Sequence, residues 1–195
     1  MGNVSKSLII TSWNSRGHAD NRIDYMAKLL KNTDILIIQE HWFFENNLNS
    51  LVNSMDNIQV YGTSSMDPSS LLHGRPYGGC AVLYNKHLKC KFTPVEVGSD
   101  RCCAIIMELP DLTKILLFNV YMPCDTIHDQ VNLDLYNDVL ISISQVRNNH
   151  SDICNVIIGG DFNTDMSRNN SLHTMSLIDY LSSDGLVMCS DCTLD

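Results

Sequence analysis

The chain has no run of 18 apolar residues, so its sequence predicts no membrane-spanning helix. No secretory leader is expected either, because the first residues are polar and the apolar run at 8–11 is too short for one. Charged residues are scarce at 18%, which argues against a long disordered tail. Bases are scarcer than acids, 13 Lys and Arg against 22 Asp and Glu, for a net charge of -9. A polyanion is usually met by a basic surface, so this balance weighs against a nucleic-acid partner. A carboxylate metal site would soften the objection, since a bound cation cancels local charge. Internal repeats, low-complexity blocks and linkers are also missing. With 195 residues and 44% hydrophobic content, the chain is expected to fold as one domain, 1–195.

Cysteine is plentiful by contrast: Cys80, Cys90, Cys102, Cys103, Cys124, Cys154, Cys189 and Cys192. Several lie in apolar runs, at 80–83 and 154–157, and are expected to be buried free thiols in a reducing compartment. The Cys189-x-x-Cys192 pair stands alone, with no partner pair at zinc spacing, so no zinc site is expected.

Strand-like and helix-like segments alternate. Apolar, β-branched runs predict strands at 7–13, 34–38, 57–62, 79–84, 88–97, 101–109, 114–121 and 153–158. Those at 34–38 and 153–158 read as buried. Helical spacing marks 21–31, 127–146 and 172–183. The second helix places Val131, Leu135, Val139, Leu140, Ile143 and Val146 on one face, with Asp125 or Thr126 as its cap. Residues 63–77 and 163–170 read as surface loops, and 185–188 as the start of another strand. Four closely spaced strands between 79 and 121 rule out a simple doubly wound parallel sheet. Two mixed sheets with helices on their outer faces fit better.

Polar residues recur where apolar strands end: Asn14, Glu40, Tyr121 and Asp161. Rigid strand ends are places where polar groups can converge on a ligand. Phosphodiester hydrolysis needs a hard cation on oxygen ligands, for which Glu40 is a candidate. It needs a second carboxylate to orient or deprotonate water, for which Asp161 is a candidate. Gly159 and Gly160 before it would let backbone or phosphate come close. Asn163, two residues on, would project to the same side in an extended chain and could donate to a phosphate oxygen. Tyr121 could donate to a developing anion. Taken singly, residues 161–163 could be an Asx turn, Glu40 a solvated strand end and Tyr121 a core aromatic. Their joint occurrence carries the reading.

Asn14-Ser15-Arg16-Gly17, Ile38-Gln39-Glu40, Tyr121-Met122-Pro123 and Gly160-Asp161-Phe162-Asn163-Thr164 resemble, in order, the motifs of the endonuclease/exonuclease/phosphatase superfamily. Within it, Trp13-Asn14-x-Arg16-Gly17 and Gly78-Gly79-x-Ala81-Val82-Leu83-Tyr84 look most like the apurinic-type endonuclease domain of non-LTR (LINE-type) retrotransposons. The resemblance spans nearly the whole chain. It implies a DNase I-like, four-layered α/β sandwich, Mg2+ or Mn2+, and DNA nicking that primes reverse transcription in the nucleus. By position it puts Asn14 and Glu40 at the metal, Tyr121 at the phosphate, Asp161 at the attacking water and Asn163 on the scissile phosphate.

The chain departs from the pattern at Arg16, where repair relatives have Asp, and at Cys124, where many have Asn. The family also implies a late Ser-Asp-His motif. Here no histidine follows His173, and Ser190-Asp191-Cys192 lacks the imidazole, so the domain is expected to be C-terminally truncated. Three functions stay open: a DNA endonuclease, an impaired remnant that binds or dimerises through an exposed sheet edge, and an esterase for a phospholipid head group, inositol phosphate or nucleotide.

Overall fold

The computed structural model describes residues 7–17, 20–70, 74–125, 130–168 and 170–189. Strands β1 (Ile10–Asn14), β2 (Ile35–Gln39), β3 (Ile58–Thr63) and β4 (Cys80–Asn85) form one sheet in the order β1-β2-β4-β3. Strands β5 (Lys91–Val95), β6 (Cys102–Glu108), β7 (Lys114–Tyr121) and β8 (Asn155–Asp161) form the other in chain order. Each sheet is mixed and has one parallel pair at its edge, β1 with β2 and β7 with β8. Helices α1 (Asp20–Leu30), α2 (Gln130–Asn149) and α3 (Leu172–Ser183) and a 3-10 turn at Glu45–Val52 complete the described residues.

The period of two along the strands builds the layers. In β2, Ile35 and Ile37 face the other sheet and meet Cys103, Ile105, Met107 and Leu117. Leu36 and Ile38 face outward, onto Met26 of α1 and onto Leu48 and Leu51 of the 3-10 turn. In β7, Leu116, Phe118 and Val120 face outward onto Tyr136, Val139 and Ile143 of α2 and Leu177 of α3. The order is therefore helix, sheet, sheet, helix, the expected four-layered sandwich. Each fully buried Ile or Leu contributes about 1.5–3 kcal/mol. That explains why β2 carries no charge: every residue in it is buried. Helix α3 is capped by Ser171, whose Oγ accepts from the Thr174 amide at 3.1 Å.

Four expectations are corrected. Strand β8 is an edge strand and is not buried; Ile157 is 39% exposed, because nothing among the described residues pairs with its outer side. Cys154, just before it, is exposed for the same reason. On α2, Val131 and Leu135 point to solvent, and Tyr136 takes the core position in their place. Its hydroxyl accepts from Thr164 Oγ1 at 3.0 Å, and its ring lies 4.4 Å from that of His173. Residues 185–188 form no strand. The cap position Thr126 and the residues 190–195 lie outside the described residues, as does Cys192. The remaining seven cysteines are free, with Cys80, Cys102 and Cys103 buried.

Candidate active site at the strand ends

The parallel pair at each sheet edge brings two strand ends level. Asn14, the last residue of β1, is in register with Gln39, the last of β2. Tyr121, the last of β7, is in register with Asp161, the last of β8. The two sheets then present these ends at one rim of the sandwich. There Asn14 Nδ2 donates to Glu40 Oε1 at 2.8 Å and to Asp161 Oδ2 at 2.7 Å. One uncharged NH2 group thus draws together carboxylates from opposite sheets.

The backbone around both acids is tightly specified. Glu40 is left-handed, with φ +55, a costly conformation for a non-glycine residue. Hydrogen bonds from both sides hold it there. Its N–H donates to Gly79 O at 2.9 Å, and its carbonyl accepts from Gly17 N at 2.7 Å and from Ser15 Oγ at 3.0 Å. Asp161 follows Gly160, whose φ of +136 and contact with the Val120 backbone leave no room for a Cβ. The Asp161 carbonyl accepts from Met122 N at 2.9 Å, extending the β7–β8 pairing past the strand ends.

The extended geometry expected for Asn163 is not what the chain adopts. Asn163 has φ +47, and its N–H donates to Asp161 Oδ1 at 3.0 Å, closing an Asx turn. Its Nδ2 donates to Met122 O at 2.8 Å, so one of its two amide hydrogens is occupied. Tyr121 stands at the same rim. Burial first, then the charge of Glu40, push its hydroxyl up to about 12, so the phenol stays protonated at neutral pH. The Arg101 guanidinium lies 5.7 Å from its ring centre. His41, beside Glu40, is fully buried; Nδ1 accepts from Phe43 N at 3.0 Å and Nε2 lies 2.9 Å from Thr63 O, which fits a neutral, structural imidazole.

Beneath the rim lies a polar bridge that sequence reasoning passed over. Asn119 in β7 is fully buried between the sheets; it accepts from Gln39 Nε2 at 2.6 Å and donates to Ile38 O at 2.8 Å and Ala81 O at 2.9 Å. The signal was present as two amides, Gln39 and Asn119, inside otherwise apolar strands.

Cavities flank the carboxylate pair. One of about 470 Å³ is lined by Asp161, Asn163, Asp125 and Arg168. Another of about 150 Å³ is lined by Glu40, Tyr121, Trp42, Arg75, Tyr77 and Arg101. Among the described residues no three His, Cys, Asp or Glu side chains group as a complete metal site. Two carboxylates converging on a single donor nonetheless fit a hard cation that completes its shell with water and substrate oxygens. Asn14 turns its nitrogen toward the acids, while its Oδ1 accepts from Arg16 N at 3.1 Å.

Residues 11–181 match the Endonuclease/Exonuclease/phosphatase family. The chain belongs to this family. Its enzymes generally use divalent metal ions. Solved structures with a similar fold include a 3′ phosphatase from Neisseria bound to product DNA hairpin, with TM-score 0.62 and 15% identity over 90% of this chain and 71% of that one. An AP endonuclease from Leishmania major gives TM-score 0.65 and 12% identity over 90% and 66%. A mannosyl-6-phosphatase from Bacteroides thetaiotaomicron gives 0.60 and 18% over 89% and 70%. No curated protein matches the chain.

Proposed function

We propose that this chain is a divalent-metal-dependent phosphodiester hydrolase that nicks DNA, of the kind that opens a target strand for priming of reverse transcription by a retrotransposon. The observation that carries the reading is the Glu40–Asn14–Asp161 bridge, which holds two carboxylates from different sheets at one rim. The motif sequences around Asn14 and at 78–84 support the retrotransposon assignment.

Glu40 would hold Mg2+ or Mn2+ through its carboxylate, and Asn14, whose NH2 faces the acids, would serve the ion only through its Oδ1. When bound, that ion supplies charge neutralisation at the phosphate. Asp161 orients the attacking water: each of its oxygens already accepts one hydrogen bond, from Asn163 N and from Asn14, which fixes the plane of the carboxylate. The neutral Tyr121 hydroxyl donates to a phosphate oxygen as charge develops on it. The second amide hydrogen of Asn163 is available to do the same. The domain 1–195 acts as one unit in this reading.

The test is nicking of supercoiled plasmid with Mg2+. Glu40→Gln and Asp161→Asn are each expected to lower the rate by about 10²–10⁴-fold. Undiminished nicking by both variants would remove the proposal. Two observations favour other readings. The exposed edge of β8 with Ile157 suits a module that pairs with a second copy, for which sedimentation would show a dimer. The net charge of -9 suits a small phosphoester in place of DNA, for which hydrolysis of short soluble substrates would exceed nicking.

A further inference from the structure

The acidic balance of the chain reverses locally beside Glu40. Arg75 and Arg101 both line the cavity of about 150 Å³ there. Arg147 and Arg168 are each held by aspartates, but neither Arg75 nor Arg101 pairs with a carboxylate among the described residues. Each is stacked instead: Arg75 lies 5.5 Å from the Trp42 ring centre, and Arg101 lies 5.7 Å from that of Tyr121. Arg22 approaches the same Trp42 ring at 6.0 Å. A guanidinium over an aromatic ring still has N–H groups to offer an anion, and Arg101 spends only one of its own, on a long bond to Tyr121 O at 3.4 Å. A second observation points the same way. Trp42 Nε1 is buried and has no acceptor among the described residues. A buried donor without an acceptor costs stability unless a ligand supplies one.

We propose that Arg75 and Arg101, which line one cavity with Trp42, Tyr121 and Glu40, form a subsite for a strand phosphate next to the one being cleaved. This rests on the nuclease reading. Guanidinium groups recognise phosphate in bidentate fashion. The cavity of about 150 Å³ has room for a phosphate group. A phosphomonoester has one phosphate, which the reacting position would take, leaving this subsite idle. A polynucleotide has the second phosphate the subsite requires. The arginines therefore select a chain that continues beyond the scissile bond. They also resolve the charge objection, because a local basic wall can hold a strand on a chain that is acidic overall.

The experiment is a fluorescence-anisotropy titration of the full chain with labelled 12-nucleotide single-stranded and duplex DNA. It is run in EDTA, so that turnover does not enter, across 20–200 mM KCl. Arg75→Ala and Arg101→Ala are each expected to weaken binding about fivefold to tenfold and to lower the slope of log K against log salt by about 0.7–0.9. Arg75→Lys is expected to keep the slope and lose part of the affinity, because the charge stays and the fork is gone. Arg75 is exposed, so its variants fold whatever Arg101→Ala does. Unchanged affinity and slope in the Arg75 variants overturn the proposal, and Glu40-dependent nicking alongside that result would leave the nuclease reading intact. The expected slopes in a chain that nicks nothing keep the subsite and remove the nuclease reading. If the wild type binds no oligonucleotide but inorganic phosphate raises its melting temperature, the subsite takes small phosphates and the strand assignment falls.

Discussion

Asn14 and Asp161 are 147 positions apart in the chain and 2.7 Å apart in the fold. The contact closes only when the two sheets stack with their parallel edges at the same rim, so it reports on the assembly of the whole sandwich. Because the same NH2 also serves Glu40, an aspartate at 14 would set three carboxylates together without a donor. Asn14→Asp is expected to lower stability in EDTA by about 1–3 kcal/mol and to recover much of it in millimolar Mg2+. Asn14→Ala should lose a similar amount and recover less. Thermal unfolding with and without the ion reads both, and an Asn14→Asp melting point equal to wild type in EDTA would contradict the bridge.

Gly159 and Gly160 precede Asp161 together but are under different constraints. A Cβ on Gly160 would enter the Val120 backbone, and its φ of +136 is one that L residues rarely adopt. A Cβ on Gly159 meets only Ile37 Cδ1, at 2.6 Å, the movable end of a side chain. Gly160→Ala is therefore expected to cost several times more than Gly159→Ala, with about 1–3 kcal/mol from backbone strain before the clash is counted. Urea unfolding of the pair checks the order, and equal midpoints would show that the Gly160 contact relaxes freely.

Much of this was legible in the sequence. Runs such as 35–38 announce strands buried on both faces, and polar residues at their ends announced Asn14, Glu40, Tyr121 and Asp161, which the fold does gather at one rim. What was not legible depends on neighbours far away in the chain. The run at 156–158 is as apolar as that at 35–38, yet β8 sits at a sheet edge and β2 does not. Strand order is not written in hydrophobic periodicity. On α2, Leu135 and Tyr136 compete for one core position, and the pocket beside Thr164 and His173 decides for the tyrosine. The conformation of Asn163 was missed because an Asx turn and an extended strand end share the same residue types. The arginines beside Glu40 were invisible because 40, 75 and 101 meet only through the β2–β4 pairing and the stacking of the sheets.

The Asn119–Gln39 bridge gives a sharper test of what holds the rim. Asn119 satisfies the Ile38 and Ala81 carbonyls of one sheet from a strand of the other. Removing its side chain takes one bond from each of those carbonyls and leaves the Gln39 amide with only its long bond to Ser12 Oγ at 3.3 Å, at about 1 kcal/mol for each lost bond before relaxation. Asn119→Ala is expected to cost at least about 2 kcal/mol, and Asn119→Leu no less, although leucine is the more apolar residue. Chemical denaturation measures this. Stabilisation by leucine would mean that the sheets need no polar tie beneath Glu40.

The buried acids predict how stability changes with alkali. Burial raises the thiols of Cys80 and Cys102 well above the ordinary 9.0 and that of Cys103 to about 12. It likewise raises the Tyr121 and Tyr136 phenols from 10.0 to about 12. In the unfolded chain these groups release protons from about pH 9 upward, while the folded chain keeps them. The unfolded state then binds fewer protons, so stability falls as pH rises above about 9, and these groups contribute no slope between pH 6 and 8. Melting temperatures from pH 7 to 11 should show a plateau and then a decline. Tyrosinate absorbance in the folded protein should lag behind that of the denatured chain. Cys103→Ala removes one of these groups and is expected to flatten the decline between pH 9 and 11. A decline of unchanged steepness would mean that the Cys103 thiol does not contribute to the alkaline limit.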